Sequence, residues 1–353
     1  MEHRRLAGGS GGVPLRGGPM AMGQVGSRFR LIEVLGPEQA LARLAQDVRA
    51  GLTATPKYLP CRYFYDDEGC RLFQAICELP EYYLTRTEQA ILEAYVESIL
   101  QPLPPSVVLI ELGSGDARKT RVLLEALIRR QKSLLYVPID ISRTALVESA
   151  HRLLQAYPSL EVTAVAAEYD DGLPYIAEVA GDPPKLILWL GSSIGNFDPP
   201  EAVAFLRRVR QVLTPEDVFL VGMDLHKDRA VLEPAYDDPQ GVTARFNRNL
   251  LVRINRELGG HFDVTAFRHR VVYDEVRRRI EMYLVSAWDQ RVVIEALALE
   301  VLFAADEAIH TENSYKYTFE DIDAIAGAAG FRRVGQWLDD RRYFSVNLFR
   351  LTE

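Results

Sequence analysis

The chain has 353 residues, a formal net charge of −8, 48% hydrophobic residues and 25% charged residues. This is the composition of a soluble globular protein with one large domain or two smaller ones. The acidic balance argues against a nucleic-acid substrate, which needs a basic face, and no run of about 18 apolar residues marks a membrane span. The cysteines, Cys61, Cys70 and Cys77, have neither disulfide-framework nor zinc spacing, and the histidines are scattered. No metal is therefore expected, and a reduced, cytoplasmic setting is.

Residues 1–28 are rich in Gly and Arg and lack the apolar core of a signal peptide, so they are expected to be disordered, with Met20 or Met22 as an alternative start. Leu31–Leu52 has helical spacing. Asp66–Glu78 reads as a short helix with Leu72, Phe73 and Ile76 on one face, ended by Pro80. Thr85-Arg86-Thr87-Glu88 reads as a capping box that opens a helix to about Leu100, and Pro102, Pro104 and Pro105 form a linker.

From Val107 the pattern alternates strand and helix, with strands at Val107–Leu112, Leu134–Asp140, Leu160–Ala166, Lys185–Leu190 and Val218–Asp224. Several are apolar on both faces, as in a sheet covered on two sides. The alternation then stops. Leu225–Leu258 reads as helices, Val264–Val285 as a hairpin, and Arg291–Ala305 alternates again. Thr318 caps a helix ending at Gly330, followed by strands Phe331–Trp337 and Phe344–Leu351. The expected architecture is α/β, a doubly wound Rossmann-like sheet with a second, smaller lobe. Residues 101–224 and 316–353 would build the sheet. Residues 29–100 and the insertion 225–315 would build the lobe.

The chemistry should lie beyond the carboxyl ends of the strands. After Val107–Leu112 comes Gly113-Ser114-Gly115, with helix expected from about Ala117. Such a turn exposes backbone and helix N–H groups to a ligand. The dinucleotide fingerprint G-x-G-x-x-G is broken by Arg118, which disfavours an NAD-dependent dehydrogenase. An acid, Glu111, two before the first glycine, followed by G-x-G, resembles the first motif of S-adenosylmethionine-dependent methyltransferases. Asp140 ends the second strand, where a carboxylate can accept ribose hydroxyls or cap the next helix. Glu168-Tyr169 after the third suits adenine. In Leu188–Pro199, Gly191 and Gly195 leave backbone bare, and Asn196 can hold an amine and a carboxylate together.

The strings YFYDDEGCRLFQAICELPEYYLTRTE, LIELGSGDARKT, WLGSSIGNF and TENSYKY resemble, in that order, the histidine Nα-methyltransferases of ergothioneine biosynthesis. The resemblance runs from about residue 32 to the C-terminus. It implies a class I methyltransferase sheet joined to a smaller substrate-binding domain. It also implies S-adenosylmethionine as methyl donor, L-histidine as substrate, hercynine as product and a monomer. By position, Tyr65, Gly113, Ser114, Lys119, Asp140, Glu168 and Tyr169 would hold the cofactor, with Glu168 standing where the family usually has Asp. Tyr82, Gly191, Ser193, Asn196, Tyr236 and Met282 would line the substrate pocket, Tyr82 and Asn196 lying nearest the chemistry. Glu312 and Ser314 would recognise the imidazole. A related branch methylates a tryptophan derivative, and a non-catalytic ligand-binding module is the reading from another class.

Overall fold

The computed structural model describes Met20–Ala21 and residues 26–352. Met20–Ala21 pairs antiparallel with Phe29–Glu33 and so is not the disordered chain expected of residues 1–28. The other residues before 26 lie outside the described residues.

The core is a nine-stranded sheet. Its order is Met20–Ala21, Phe29–Glu33, Leu160–Ala166, Leu134–Asp140, Val108–Leu112, Lys185–Trp189, Val218–Asp224, Phe344–Leu351, Phe331–Leu338. The strands from Phe29–Glu33 to Val218–Asp224 pair in parallel. Phe344–Leu351 runs antiparallel between Val218–Asp224 and Phe331–Leu338, so the sheet is mixed. The alternation of the pleat explains the all-apolar strands. Leu109, Leu186 and Leu220 feed one apolar layer, and Ile110, Ile187 and Phe219 feed the other.

Two local expectations fail at the front of the chain. The helix expected over Leu31–Leu52 is the strand Phe29–Glu33 followed by a helix, Pro37–Thr53. Leu31 and Ile32 are buried in opposite layers of the sheet, which only an extended chain allows. The helix Leu84–Leu100 has no capping box. Thr85 Oγ1 donates to Cys77 Sγ (3.3 Å), and Glu88 is fully buried with partners elsewhere. The helix after the glycines begins later than expected, as Thr120–Gln131.

A second sheet is four-stranded, in the order Lys57–Tyr58, Ala308–Tyr315, Arg279–Ser286, Phe267–Asp274. Helix Val242–Leu258 packs beside it with Asp67–Cys77 against that helix, and Gln290–Ile294 pairs with Leu299–Phe303. The expected hairpin therefore forms as Phe267–Asp274 and Arg279–Ser286. Ala308–Tyr315 is the strand that alternation did not single out. It lies against the carboxyl edge of the main sheet. Asn196 Nδ2 donates to Asn313 O (2.8 Å), Tyr317 N to Asp224 O (2.9 Å), and Arg279 Nη1 to Asp198 (3.0 Å). No described helix is long and apolar enough to cross a membrane.

Candidate active site

Strand order reverses around Val108–Leu112, between Leu134–Asp140 and Lys185–Trp189, and the carboxyl ends of all three open onto one crevice. That is where open α/β sheets bind ligands. Gly113 (φ 74°), Gly115 (φ 51°) and Ala117 (φ 58°) bend the chain back there. A Cβ on Gly113 would come within 2.6 Å of Tyr169 Oη, whereas one on Gly115 would enter open space. Ser114 Oγ is buried without a hydrogen-bond partner among the described residues. A left-handed turn with bare space above it and an orphan hydroxyl fits a bound nucleoside.

Asp140 braces this turn. Its Oδ2 accepts the Gly115 N–H (2.8 Å) and its Oδ1 the Ser142 N–H (2.9 Å). Both readings of Asp140 thus bear on one carboxylate, since each oxygen keeps a lone pair for a ligand. Glu111 turns inward instead. Thr120 Oγ1 (2.6 Å) and Tyr136 Oη donate to it, and burial pushes it up to about 7. The acid of the glycine motif therefore ties its strand to the next helix and to a neighbouring strand.

Glu168 stands at the N-terminus of the helix Tyr169–Ala180 without a side-chain cap bond. Its carboxylate lies between Arg43 (3.3 Å) and Arg62 (3.4 Å), two partners that the sequence did not announce. Tyr169 sets its edge against Trp189, ring centroids 5.8 Å apart. Tyr65 packs edge-on against Phe73 (5.7 Å) and Phe246 (5.9 Å). Burial, with Glu312 beside it, pushes the Tyr65 hydroxyl well above the usual tyrosine range.

After Trp189 the chain makes a second left-handed turn at Gly191 (φ 78°) and Ser192 (φ 60°). The expected pocket groups here are already engaged. The Gly191 N–H goes to Glu88, and Ser193 Oγ donates to Leu190 O (3.2 Å). Glu88 also pairs with Lys119 Nζ. Gly195 serves the seam between the sheets rather than a ligand, since a Cβ there would lie 3.1 Å from Tyr315 O. Asn196 stands at the crevice, against the Glu312 carboxyl.

The remaining pocket residues converge from separate elements. Glu312 and Ser314 project from Ala308–Tyr315, and Met282 is registered opposite Glu312. Burial pushes the Glu312 carboxyl up to about 7, against the pull of Lys316 and Asn196. Tyr236 Oη is 2.8 Å from Ser314 Oγ, and the Tyr236 ring meets the edge of Tyr82, centroids 6.1 Å apart. His269 fixes the Tyr236 backbone. Asn247 Nδ2 donates to Nδ1 and to Tyr283 O, so Nε2–H donates to Tyr236 O, each imidazole bond 2.9 Å. Burial lowers the His269 pKa, which favours this neutral ring.

A family model for histidine-specific, SAM-dependent methyltransferases matches residues 44–351. The histidine N-alpha-methyltransferase of Mycobacterium tuberculosis is 41% identical over 321 residues, 91% of this chain and 99% of that protein. That of Mycolicibacterium smegmatis is 41% identical over 318 residues, 90% of this chain and 98% of that protein. Ergothioneine biosynthesis protein 1 of Neurospora crassa is 33% identical over 296 residues, 82% of this chain and 32% of that protein. The match runs through both sheets and every segment that lines the crevice: this chain belongs to the histidine-specific, S-adenosylmethionine-dependent methyltransferase family.

Proposed function

We propose that the protein methylates the α-amine of L-histidine three times, giving hercynine for ergothioneine biosynthesis. The observation that carries this reading is the pairing of Glu312 and Ser314 on one strand beside Tyr236. A carboxylate beside a hydroxyl oxygen is a receptor for a protonated imidazole, whose two ring N–H groups each need an acceptor. An indole has a single ring nitrogen and would leave Ser314 idle, so a tryptophan derivative fits less well.

Tyr65, Gly113, Ser114, Lys119, Asp140, Glu168 and Tyr169 would hold S-adenosylmethionine. When bound, it supplies an electrophilic methyl on a sulfonium, which becomes a thioether as the amine nitrogen gains the carbon. The chain's own task is positioning. Asn196 and Tyr236 hold the carboxylate, Glu312 and Ser314 the imidazole, and Tyr82 lines the amine side with Met282 beneath. Fixing reacting groups in this way is worth up to ~7–11 kcal/mol in ideal cases. The amine sheds one proton per round, to water. A neighbouring positive charge favours its neutral form. Tyr65 and Tyr82, both with hydroxyls pushed well above the usual range by burial, act as hydrogen-bonding groups and not as bases.

All these residues come from one chain, so a monomer suffices. The free cysteines suit a cytoplasmic setting. We assign the substrate lobe to residues 34–83 and 225–315, with Phe29–Glu33 belonging to the main sheet and the helix Leu84–Leu100 packed on it against Phe344–Leu351.

The test is an amino-acid screen with S-adenosylmethionine, counting by mass spectrometry the methyl groups added to each product. Trimethylated histidine from the histidine reaction is expected. Ring-methylated histidine alone, or a clear preference for tryptophan, would overturn the assignment.

A further inference from the structure

Behind Tyr236 and Ser314 lies a buried charge cluster that the chemistry above does not use. Lys316 and Asp224 are 1% and 0% exposed. Lys316 Nζ spends its hydrogens on Asp224 Oδ2 (2.8 Å), Tyr236 Oη (2.8 Å) and Ser314 Oγ (2.9 Å). Asp224 also accepts from Tyr83 Oη (2.7 Å) and Lys227 Nζ (2.6 Å). Burial works against the charge on Asp224, but the two lysines hold its carboxyl below the usual range. Burial lowers the Lys227 pKa to about 8, whereas at Lys316 burial is outweighed by Asp224 and Tyr236, which raise its pKa, so the secure positive charge beneath the pocket floor is that of Lys316.

The hydroxyl hydrogens can be counted. An ammonium only donates, so Tyr236 and Ser314 both accept from Lys316. They are also 2.8 Å from each other and share one O–H···O bond. One hydroxyl hydrogen is left over. It cannot point at Lys316, and when Ser314 donates to Tyr236 it belongs to Tyr236 and is free to meet a ligand oxygen. Without the lysine the two hydroxyls could turn either way, accepting as readily as donating.

We propose that Lys316 is the positioning residue that makes the pocket select an amino acid with a free carboxylate over the corresponding amine. It does so by fixing that last hydroxyl hydrogen outward and placing positive charge one hydroxyl behind it. This rests on the reading of Tyr236 as a carboxylate ligand. Hydrogen bonds with an ionised partner are roughly twice as strong as neutral ones, and a low local dielectric strengthens them further.

The experiment compares histidine with histamine, which lacks only the carboxylate, in the wild type, Lys316→Met, Tyr236→Phe and the double variant. Asp224 keeps Tyr83 and Lys227 in Lys316→Met, so the fold is expected to survive. The KM for histidine should rise about tenfold or more while kcat changes by less than about threefold. The preference for histidine over histamine should fall by a similar factor, with S-adenosylmethionine affinity unchanged. Tyr236→Phe should cost little more in the Lys316→Met background, because both remove one device. An unchanged preference, or costs that multiply, would overturn the proposal. If Lys316→Met does not fold, Lys316→Gln, which removes the charge and offers the hydroxyls an amide oxygen to turn toward, must show a loss of preference in the same direction. Turnover of histidine by the wild type tests the function itself and is scored separately. Were another amino acid the substrate, the same ratio is read on it and its decarboxylated amine.

Discussion

Glu88 accepts the Gly191 N–H with both carboxylate oxygens, each at 2.9 Å, and holds Lys119 Nζ with the same group. One buried side chain thus joins the helix Leu84–Leu100, the loop after Lys185–Trp189 and the residue that enters the helix after the glycine turn. Burial opposes the Lys119 charge, but Glu88 more than offsets it and the lysine pKa is raised. Glu88→Gln leaves the half-buried Lys119 without its counter-charge. It should cost about 3–5 kcal/mol in denaturant unfolding, the usual cost of breaking a buried pair from one side. Calorimetry on the folded variant should show weaker cofactor binding. Unchanged affinity would reduce Glu88 to a purely structural brace.

The two glycines of the turn should respond differently to alanine. At Gly113 the new Cβ meets Tyr169 Oη at 2.6 Å in a left-handed backbone (φ 74°), so strain and clash add. The strain alone is worth about 1–2 kcal/mol. Adding Tyr169→Phe should restore the clash part of the lost thermal stability and leave the strain. At Gly115 nothing lies within 4 Å, so Gly115→Ala should cost only the strain in stability yet weaken cofactor binding by filling the space above the turn. Wild-type cofactor affinity in Gly115→Ala would mean that the cofactor lies elsewhere.

The parts of the fold that could be read early are those whose signal is local. A strand buried on both faces shows itself as a short apolar run, and Leu134–Asp140, Leu160–Ala166 and Val218–Asp224 form with the expected ends. Phe29–Glu33 was hidden because its apolar residues also fit helical spacing, and only pairing with Leu160–Ala166 decides between the two. The candidate site residues could be named because family strings mark them. What those strings do not carry is partnership across the chain. Glu88 looks like a capping residue until Gly191, 103 positions away, is beside it. Lys316 sits inside the quoted TENSYKY string and had no role until Asp224 and Tyr236 surrounded it. Gly195 looked like a ligand contact, but its missing Cβ makes room for the backbone of Tyr315.

Asp140 carries two duties that a ligand series can separate. Asp140→Ala removes the acceptor of the Gly115 and Ser142 N–H groups, so some stability is lost, about 1–3 kcal/mol by the cost of unpaired buried donors. If the carboxylate also takes ribose hydroxyls, cofactor affinity should fall far more than histidine affinity. A deoxyribose analogue of S-adenosylhomocysteine should then bind the wild type more weakly than the parent, while the variant should not distinguish the two. A variant that discriminates as well as the wild type would sink the ribose role.

Glu312 predicts a trade between stability and recognition that can be read by pH. Its folded pKa is about 7, against an ordinary value of 4.5, because burial disfavours the carboxylate. Below about pH 4.5 the group is protonated in both folded and unfolded chains and costs nothing. Between 4.5 and 7 the unfolded chain releases the proton and the folded one keeps it, so stability falls as pH rises. Above about 7 the loss levels off at roughly 3 kcal/mol, from 1.36 kcal/mol per pKa unit. Glu312→Gln removes this titration. Its unfolding free energy should match the wild type near pH 4.5 and exceed it by up to roughly 3 kcal/mol at pH 8. Glu111, also near 7, titrates in both proteins and cancels in the difference. The same variant should bind histidine much more weakly and the cofactor nearly as well. A pH-independent stability difference would refute the raised pKa, and equal losses for both ligands would refute the imidazole role. If both expectations hold, the enzyme keeps a destabilising buried acid because the imidazole N–H of its substrate completes it.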